Sequence, residues 1–511
     1  MTPEEMLLQS GIEALNAGAT LRDEWWRYFA GDHDLPFAPE GVNEEYLALR
    51  EIAILPLIGL AVATPVQRLR IKGMLTTNQS SAEIHRRIWQ TNKMDAGQRK
   101  PYLDAFVYGE GYISVWPDRN EPSTPIVRAE DPNLVWVERD TRDAQKPLWA
   151  IKRWTERLRD PSEPSGMIQR DVGVVYTDTE VHRFHRGTRT VRGIRSVGPF
   201  GQSLAPQGSA WELAPGFPVA NPLRQVPFVP FVTEEGSDGR GASRVARLIG
   251  MQRSIDTMRF NLLLAAQFAA FRQRVAVGYD PIVRDSDGNI IYQTDTLDQP
   301  VLDPITGQPI PLVHPGGRVG VDRLLVFPGA DTNVFDLAES NLQNYVYSLE
   351  MLVATFSSVA QVPPQYFMGK LDGNLSGELM TATEVTLQSL IKDCQTQFGE
   401  SMEGVAQLVG AAIGDEDPID PESEVIWDET APANLSEIGD FASKMVPLGY
   451  PMREVVQTIP GVSQARAARM DLTPPKPPEP AGAASASQDK PPGAGEPPGG
   501  AENAGTTSQR P

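Results

Sequence analysis

Two long helical stretches bracketing a short β-rich insert are the feature that most narrows what this chain can fold into. Over residues 241–274, Val245, Leu248, Ile255, Met258, Leu262 and Ala265 recur near 3.5-residue spacing, which marks one apolar helical face. At 1.5 Å per residue such a helix runs about 50 Å, well beyond the usual length in a globular domain. An insert over residues 275–327 then breaks the pattern. Asp287-Gly288 and Thr306-Gly307 supply residue types that tight turns need. A second helix is predicted over 339–359, its stripe made by Leu342, Tyr345, Val346, Leu349, Leu352, Val353 and Phe356. Val362-Pro363-Pro364 ends it, because proline has no N–H and its predecessor avoids the helical region. A Gly- and Asp-containing loop, 367–375, leads to a third helix over 377–413. Leu387, Leu390, Cys394, Phe398, Met402, Val405 and Val409 form its apolar face. Ser376 stands at the N-cap position, and Leu379 denies it the Glu of a capping box.

Residues 1–236 mix both periodicities. Helices are predicted over 4–17, 44–63 and 81–92, the last with Ser81 as N-cap and Ile84, Ile88 and Trp89 on one face. Strands are predicted over 111–116, 134–138, 148–155, 172–176 and 226–232, separated by Pro- and Gly-rich turns. Helices and strands are segregated and do not alternate as βαβ units, so the fold class is α+β. No internal repeat is apparent. Residues 473–511 are Pro, Gly, Ala and Ser with almost no large apolar side chain. Such a segment cannot offset its ordering entropy and is predicted to be a disordered tail, with folded structure ending near Met470.

Composition excludes several function classes. A formal charge of −20 opposes nonspecific coating of nucleic acid, since phosphate neutralisation dominates that affinity. It suits a conduit that guides DNA without gripping it, and equally an ordinary acidic enzyme. The single cysteine, Cys394, rules out an intrachain disulfide and a multi-cysteine zinc site. The start of the sequence is acidic and amphipathic, unlike a signal peptide. The most apolar run, 52–63, contains Pro56, is too short for a span and reads as a buried helix, with an interfacial segment as the alternative. There is no G-x-x-x-x-G-K-[ST] and no G-x-S-x-G, and Cys394 falls on an apolar helical face, so no enzyme activity and no cofactor are expected. His182 and His185 have H-x-x-H spacing without an obvious third ligand. Asp285, Asp287 and Asn289 imitate the start of a calcium loop, but Gly288 stands at the fourth position and no Glu at the twelfth. A hairpin turn is the better account.

Dispersed segments then carry a resemblance. IWQTNKMD (88–95) and DAFVYGEGYISVW (104–116) come first. VPFVPF (226–231) leads into GRGASRVARLIGMQRSID (239–256). VAQVPPQYFMG (359–369) precedes NLSGELMTATEVTL (374–387), and VIWDETAPANLSEIGDFASKMVPLGYP (425–451) closes the series. In this order they resemble the portal proteins of siphovirus-type tailed double-stranded DNA bacteriophages. Leu379 departs from the family's small residue, and the tail has no counterpart. The resemblance implies a portal architecture: wing (1–239), stem helix 1 (240–274), β-hairpin-rich clip (275–335) and stem helix 2 (336–360). A tunnel loop (361–376), a long wing helix with acidic connection (377–433) and crown-like helices (434–472) follow. It further implies a homo-oligomeric ring, dodecameric in the family, at one capsid vertex of the virion, with host cytoplasm as the compartment before assembly. Implied partners are double-stranded DNA in the lumen, the terminase large subunit, a head-completion or adaptor protein, and the major capsid and scaffolding proteins. No membrane is involved.

Several sets of residues are candidates under that reading. Arg240, Arg244, Arg247, Arg253, Arg259, Arg272 and Arg274 share a window whose only acid is Asp256. They form either a solvated face balanced by acids of the next subunit or a basic belt near DNA. In the tunnel loop, Gly369, Lys370, Leu371, Asp372, Gly373 and Asn374 combine permissive backbone with one cation for transient phosphate contact; burial between subunits is the alternative. Clip contacts are expected at Arg284, Asp285, Asp287, Arg318 and Arg323. Arg183, Arg186, Arg189, Arg192 and Arg195 recur every third residue, which fits neither helix nor strand face and predicts an exposed loop or irregular hairpin. Ten acids and no base occupy residues 415–440, either a charged surface connection or a repulsive channel mouth. The rival functions are a cytoplasmic α+β enzyme, hydrolase-like, and another virion structural component.

Overall fold

A capping box starts the chain's first helix, α1 (Pro3–Ala17): Thr2 Oγ1 accepts from the Glu5 amide at 3.3 Å, and Glu5 Oε2 accepts from the Thr2 amide at 2.8 Å. The structure, a computed structural model, describes residues 2–38, 47–75, 79–144, 146–159, 167–191, 210–270, 274–277, 282–313, 333–336, 341–368, 377–414, 423–428, 435–449 and scattered positions from 451 to 470. After α2 (Ala19–Ala30), the helix expected over 44–63 is found as two, α3 (Leu49–Ala53) and α4 (Leu57–Arg68). Pro56 between them cannot continue the hydrogen-bond ladder. By length and composition Leu49–Arg68 would suffice to cross a membrane. In the fold Leu57, Ile58, Ala61, Val62 and Val66 are buried in the main core, which gives that apolarity a packing cause.

β1 (Ile71–Leu75) leads to α5 (Gln79–Thr91), the short α6 (Met94–Gly97) and α7 (Arg99–Tyr108). Because α5 begins at Gln79, Ser81 lies inside it and is not its cap; Ile88 is buried, as its spacing predicts. Three strands then form a sheet with β2 (Glu110–Trp116) at its centre, flanked by β3 (Ile126–Glu130) and, later in the chain, β10. A six-stranded sheet follows: β4 (Val135–Arg139), β5 (Pro147–Arg159), β6 (Met167–Tyr176), β7 (Glu180–Val191) and β8 (Glu212–Leu213) in that order, with β9 (Val219–Ala220) also on β7. Leu8, Ile12 and Leu15 of α1 pack on its Ile151, Val175 and Phe184. Gly173 permits this approach, since a Cβ there would lie 2.7 Å from Leu8 Cδ1. β10 (Phe228–Val232) closes the first sheet.

Of the two alternatives for the spaced arginines, the irregular hairpin is found: β6 and β7 pair antiparallel with a register shift. Arg183 stands opposite Val174, Arg186 opposite Asp171 and Arg189 opposite Gln169, with a register shift between the last two pairs. The extra residue of the bulge lies between Arg186 and Arg189, so their three-residue spacing spans only two positions of β6. Arg192 and Arg195 lie outside the described residues.

α8 (Ala246–Ala270) is the first long helix, shorter at its start than predicted because Ser243 Oγ caps the Ala246 amide at 3.1 Å. β11 (Arg274–Val277) pairs antiparallel with β12 (Asn333–Asp336). α9 (Leu342–Ala360) is capped by Asn341 and stopped by Gln361 at φ 57. It packs beside α8, and Val245, Leu248 and Ile255 join Val353 and Phe356 in the core. After α10 (Gln365–Met368) comes α11 (Gly377–Ile413), with the bounds predicted, about 55 Å long. The N-cap expected at Ser376 lies outside the described residues. Phe398 of α11 stacks on Tyr102 of α7 at 5.0 Å and contacts Phe231 of β10 at 5.9 Å. β13 (Glu424–Trp427) pairs with β1. A second unit, Leu435–Pro511, contains α12 (Leu435–Met445) and a 3-10 turn, Val446–Leu448.

The insert holds a repeat that the sequence hides. Asp285, Asp295 and Asp303 each open a turn, their Oδ1 atoms accepting from the amides of Asp287 and Asn289, of Leu297 and Gln299, and of Ile305 and Thr306. Each turn contains one left-handed residue: Gly288, Asp298 and Gly307. Between the turns, Val283 donates to Leu312, Leu312 to Ile291 and Ile291 back to Val283, at 2.7–2.9 Å. Gln293, Ile310 and Val301 form a second such closed triangle.

One half-buried acid yields a pH prediction. Asp104 on α7 is half-buried; burial first, and the charge of Asp131 second, push its carboxyl from an ordinary 3.8 up to about 8. The folded state holds this proton more tightly than the unfolded chain. The group's stability contribution is therefore full below the unfolded value and is lost as pH rises through about 8. Asp104→Asn is expected to raise the melting temperature at pH 8.5 and leave it nearly unchanged at pH 4, as thermal scans at the two pH values would show.

Candidate functional site: the base of the long helices and the loop anchor

Four of the arginines predicted as a belt along the first long helix, Arg240, Arg244, Arg247 and Arg253, have acid partners within the chain. Arg240 stacks over Trp136 at 4.0 Å and donates to Val137 O at 2.8 Å, with Glu110 Oε2 at 3.3 Å. Arg244, 6% exposed, donates to Glu234 Oε1 and to Gln361 Oε1, both at 2.6 Å. Burial lowers its guanidinium pKa. Arg247 pairs with the second oxygen of Glu234. Glu234 and Gln361 both sit at positive φ, 51 and 57, so one buried cation ties together two unusual backbone positions, one before α8 and one ending α9. Arg253 pairs with Glu24 at 2.8 Å and Asp34 at 2.9 Å, and Arg259 donates to Ile54 O at 2.9 Å. The balancing acids thus come from the same chain. Arg272 lies outside the described residues, and Arg274 stands opposite Asp336 in the β11–β12 register.

Asp256, the lone acid of that window, is 1% exposed and organises a buried network. Its Oδ2 lies 2.8 Å from His33 Nδ1, and its Oδ1 accepts from the Leu55 amide at 3.0 Å and Gln252 Nε2 at 2.9 Å. Gln252 also reaches Leu55 O at 2.7 Å, while His33 Nε2 lies 3.1 Å from Tyr28 O. The network fastens the α2–α3 region to α8. Sequence reasoning noted Asp256 only as an exception among arginines and passed over His33 and Gln252. An acid alone on an apolar, basic helix was the available signal.

The candidate loop Gly369, Lys370, Leu371, Asp372, Gly373 and Asn374 lies outside the described residues, but its two flanks meet. Tyr366 on α10 donates to Glu384 Oε1 on α11 at 2.8 Å, and Arg68 at the end of α4 lies 3.3 Å from Glu384 Oε2. Arg68 also donates to the Tyr366 hydroxyl and sits 5.7 Å over its ring. Burial pushes the Glu384 carboxyl up, but Arg68 and Tyr366 outweigh it and leave the group below the usual range. Phe367 packs edge-on against Phe356 at 5.4 Å. Tyr366 and Glu384, on the helices before and after the loop, are therefore held together.

Elsewhere the candidates separate. Arg284 donates to Gly288 O at 3.3 Å beside the Asp285 turn, which also engages the Asp287 amide; Arg318 and Arg323 lie outside the described residues. His182 pairs with Glu180 at 3.1 Å, and among the described residues no group of three or more His, Cys, Asp or Glu could hold a metal ion. Cys394 is buried, and burial pushes its thiol up to about 12, which makes it a poor nucleophile. Most of the acidic run, 415–422 and 429–434, lies outside the described residues.

Two resembling segments owe their residues to this architecture. In WQTNKMD, Trp89 Nε1 donates to Asp95 at 2.8 Å, and Asn92 accepts from the Val127 amide at 2.9 Å, holding α5 to β3. In YGEGY, Gly109 ends α7 at φ 89, and a Cβ there would lie 2.5 Å from Gly241 O; the segment before α8 passes close against the turn between α7 and β2. The family model described as phage portal protein, SPP1 Gp6-like, matches residues 20–472. The chain is 22% identical over 367 residues to the portal protein of Mycobacterium phage D29, and equally to that of Mycobacterium phage L5. Each match covers 70% of this chain, which spans 65% of the length of these curated relatives. A match extending from α2 through β13 and into the second unit takes in the stem-like helices, the insert and the anchored loop together, and the chain belongs to the SPP1 Gp6-like family of phage portal proteins.

Proposed function

We propose that this chain is the subunit of a dodecameric portal ring at one capsid vertex, a non-enzymatic channel for packaging and ejecting double-stranded DNA. The observation that carries the reading is the family match over residues 20–472. The helix–insert–helix order supports it: α8 and α9 are the stem, residues 275–335 the clip, residues 1–239 the wing and residues 434–472 the crown. A closed ring needs heterologous contacts, each copy presenting one face to the complementary face of the next. The clip docks the terminase large subunit, which hydrolyses ATP in the absence of a P-loop here, and later the head-completion protein. Capsid and scaffolding proteins meet the wing. With a formal charge of −20 the wall holds phosphate weakly, and Lys370 in the tunnel loop makes passing contacts that break readily.

The anchor Arg68–Tyr366–Glu384 lies outside the loop, so deletion of residues 369–374 is expected to leave ring assembly intact while packaging or DNA retention falls. Ring formation is read by native mass and packaging by the fraction of DNA-filled heads. Wild-type yields of filled heads from the deletion would overturn the loop's role.

A further inference from the structure

We infer that His33 and Asp256 fold with one shared proton between them, so that the attachment of the α2–α3 region to α8 takes up a proton from water and weakens as pH rises. A neutral imidazole offers one N–H and one lone pair. His33 meets an acceptor on each side: Asp256 Oδ2 lies 2.8 Å from Nδ1, and Tyr28 O lies 3.1 Å from Nε2. A backbone carbonyl can only accept, so Nε2 must carry a hydrogen to bond it. That uses the one hydrogen of a neutral ring, and Nδ1 would then turn a lone pair toward a carboxylate oxygen. The opposite tautomer turns the Nε2 lone pair toward Tyr28 O instead. One more proton, between Nδ1 and Oδ2, satisfies both contacts.

The rest of the network fixes where that proton sits. Gln252 Oε1 accepts from the Leu57 amide at 3.2 Å, which turns its Nε2 toward Leu55 O and Asp256 Oδ1. Asp256 Oδ1 thus accepts two hydrogen bonds, from Gln252 and from the Leu55 amide, and the Oδ2–Nδ1 contact is left for the proton. Burial favours the same count. Both side chains are buried; without the extra proton the pair would hold a net charge there, and with it the pair is neutral overall. The charged groups around the pair are engaged elsewhere. The Tyr28 ring stacks on His33 at 4.8 Å, and its hydroxyl meets Arg253 at 2.7 Å and Asp34 at 3.2 Å. Glu24 pairs with Arg253, and Asp34 with Arg27 and Arg253. Arg259 donates to Ile54 O and Arg50 to Pro36 O, while Asp32 and Glu51 are exposed.

The fold then holds this proton more tightly than the unfolded chain does, so the pair's stabilising contribution is complete at low pH and is lost as pH rises. Asp256→Asn supplies what a neutral imidazole needs. Its carbonyl keeps the bonds from Leu55 and Gln252, and its amide donates to His33 Nδ1 while Nε2–H stays on Tyr28 O. The test is urea unfolding of the full chain at one protein concentration, followed by tryptophan fluorescence. It is run from about pH 6 to about pH 9, a range that starts near the ordinary histidine value. The wild-type folding constant is expected to fall severalfold relative to that of Asp256→Asn, by up to about tenfold for each pH unit over which only the folded chain keeps the proton. Asp104 is common to both chains and cancels from the ratio. A ratio that stays level or rises would overturn the shared proton. Should Asp256→Asn not fold, His33→Gln takes its place as the reference: glutamine takes up no proton, so the same relative fall is expected and a level ratio is equally contrary.

Discussion

Asp256→Ala is expected to destabilise the chain by on the order of 3 kcal/mol or more, because it removes the shared acceptor of several polar groups, each costing about 1–3 kcal/mol when left unsatisfied. His33 Nδ1, the Leu55 amide and Gln252 Nε2 all converge on this one carboxylate. None has water at hand, as Asp256, Gln252 and His33 are all at most 5% exposed. Asp256→Asn keeps an acceptor for Leu55 and should lose less. Urea unfolding followed by tryptophan fluorescence reports the difference, with Trp25 and Trp26 on α2 close to the network. Equal midpoints for wild type and Asp256→Ala would show that the network contributes nothing. The expected consequence is a loosened α2–α3 region on α8, at the junction of the proposed wing and stem.

Phe398→Ala is expected to cost ~3–5 kcal/mol, the range for deleting a fully buried aromatic ring. Phe398 is 0% exposed and joins three elements: Tyr102 of α7, Phe231 of β10 and its own α11. The cavity cannot collapse easily, because the Tyr102 ring is itself held by Phe231 at 5.9 Å and Trp427 at 5.9 Å. Phe398→Leu refills part of the space and should recover more than half of the loss. The same urea experiment separates them, and indistinguishable Ala and Leu variants would remove the packing argument.

How far the fold was legible follows from which forces are local. The α11 bounds match the predicted ones, with one stripe of apolar residues running from Leu387 to Val409. α7 was missed because it is buried on Pro101, Tyr102, Ala105, Phe106, Val107 and Tyr108, so it lacks the one-sided period that signals an amphipathic helix. The start of α8 was set too early because Ser243 and Arg244 serve the junction and are not helical. The threefold repeat of the insert escaped notice because its left-handed position is Gly, then Asp, then Gly, and the turns differ in length by one residue.

The candidate site was legible in kind but not in pairing. Composition revealed the arginines around α8, yet their acids, Glu24, Asp34 and Glu234, come from distant or separate elements. The Arg68–Tyr366–Glu384 anchor joins residues some three hundred positions apart, and no local rule points to it. Proline and glycine suggested a loop; only the tertiary fold shows Tyr366 and Glu384, on either side of it, joined.

Native mass spectrometry of the purified full chain, supported by electron-microscope images, tests the central claim most directly. A portal subunit of 56.0 kDa should assemble into a ring of about a dozen copies with a central hole. A lone compact particle with the mass of one chain, under every assembly condition, would contradict it.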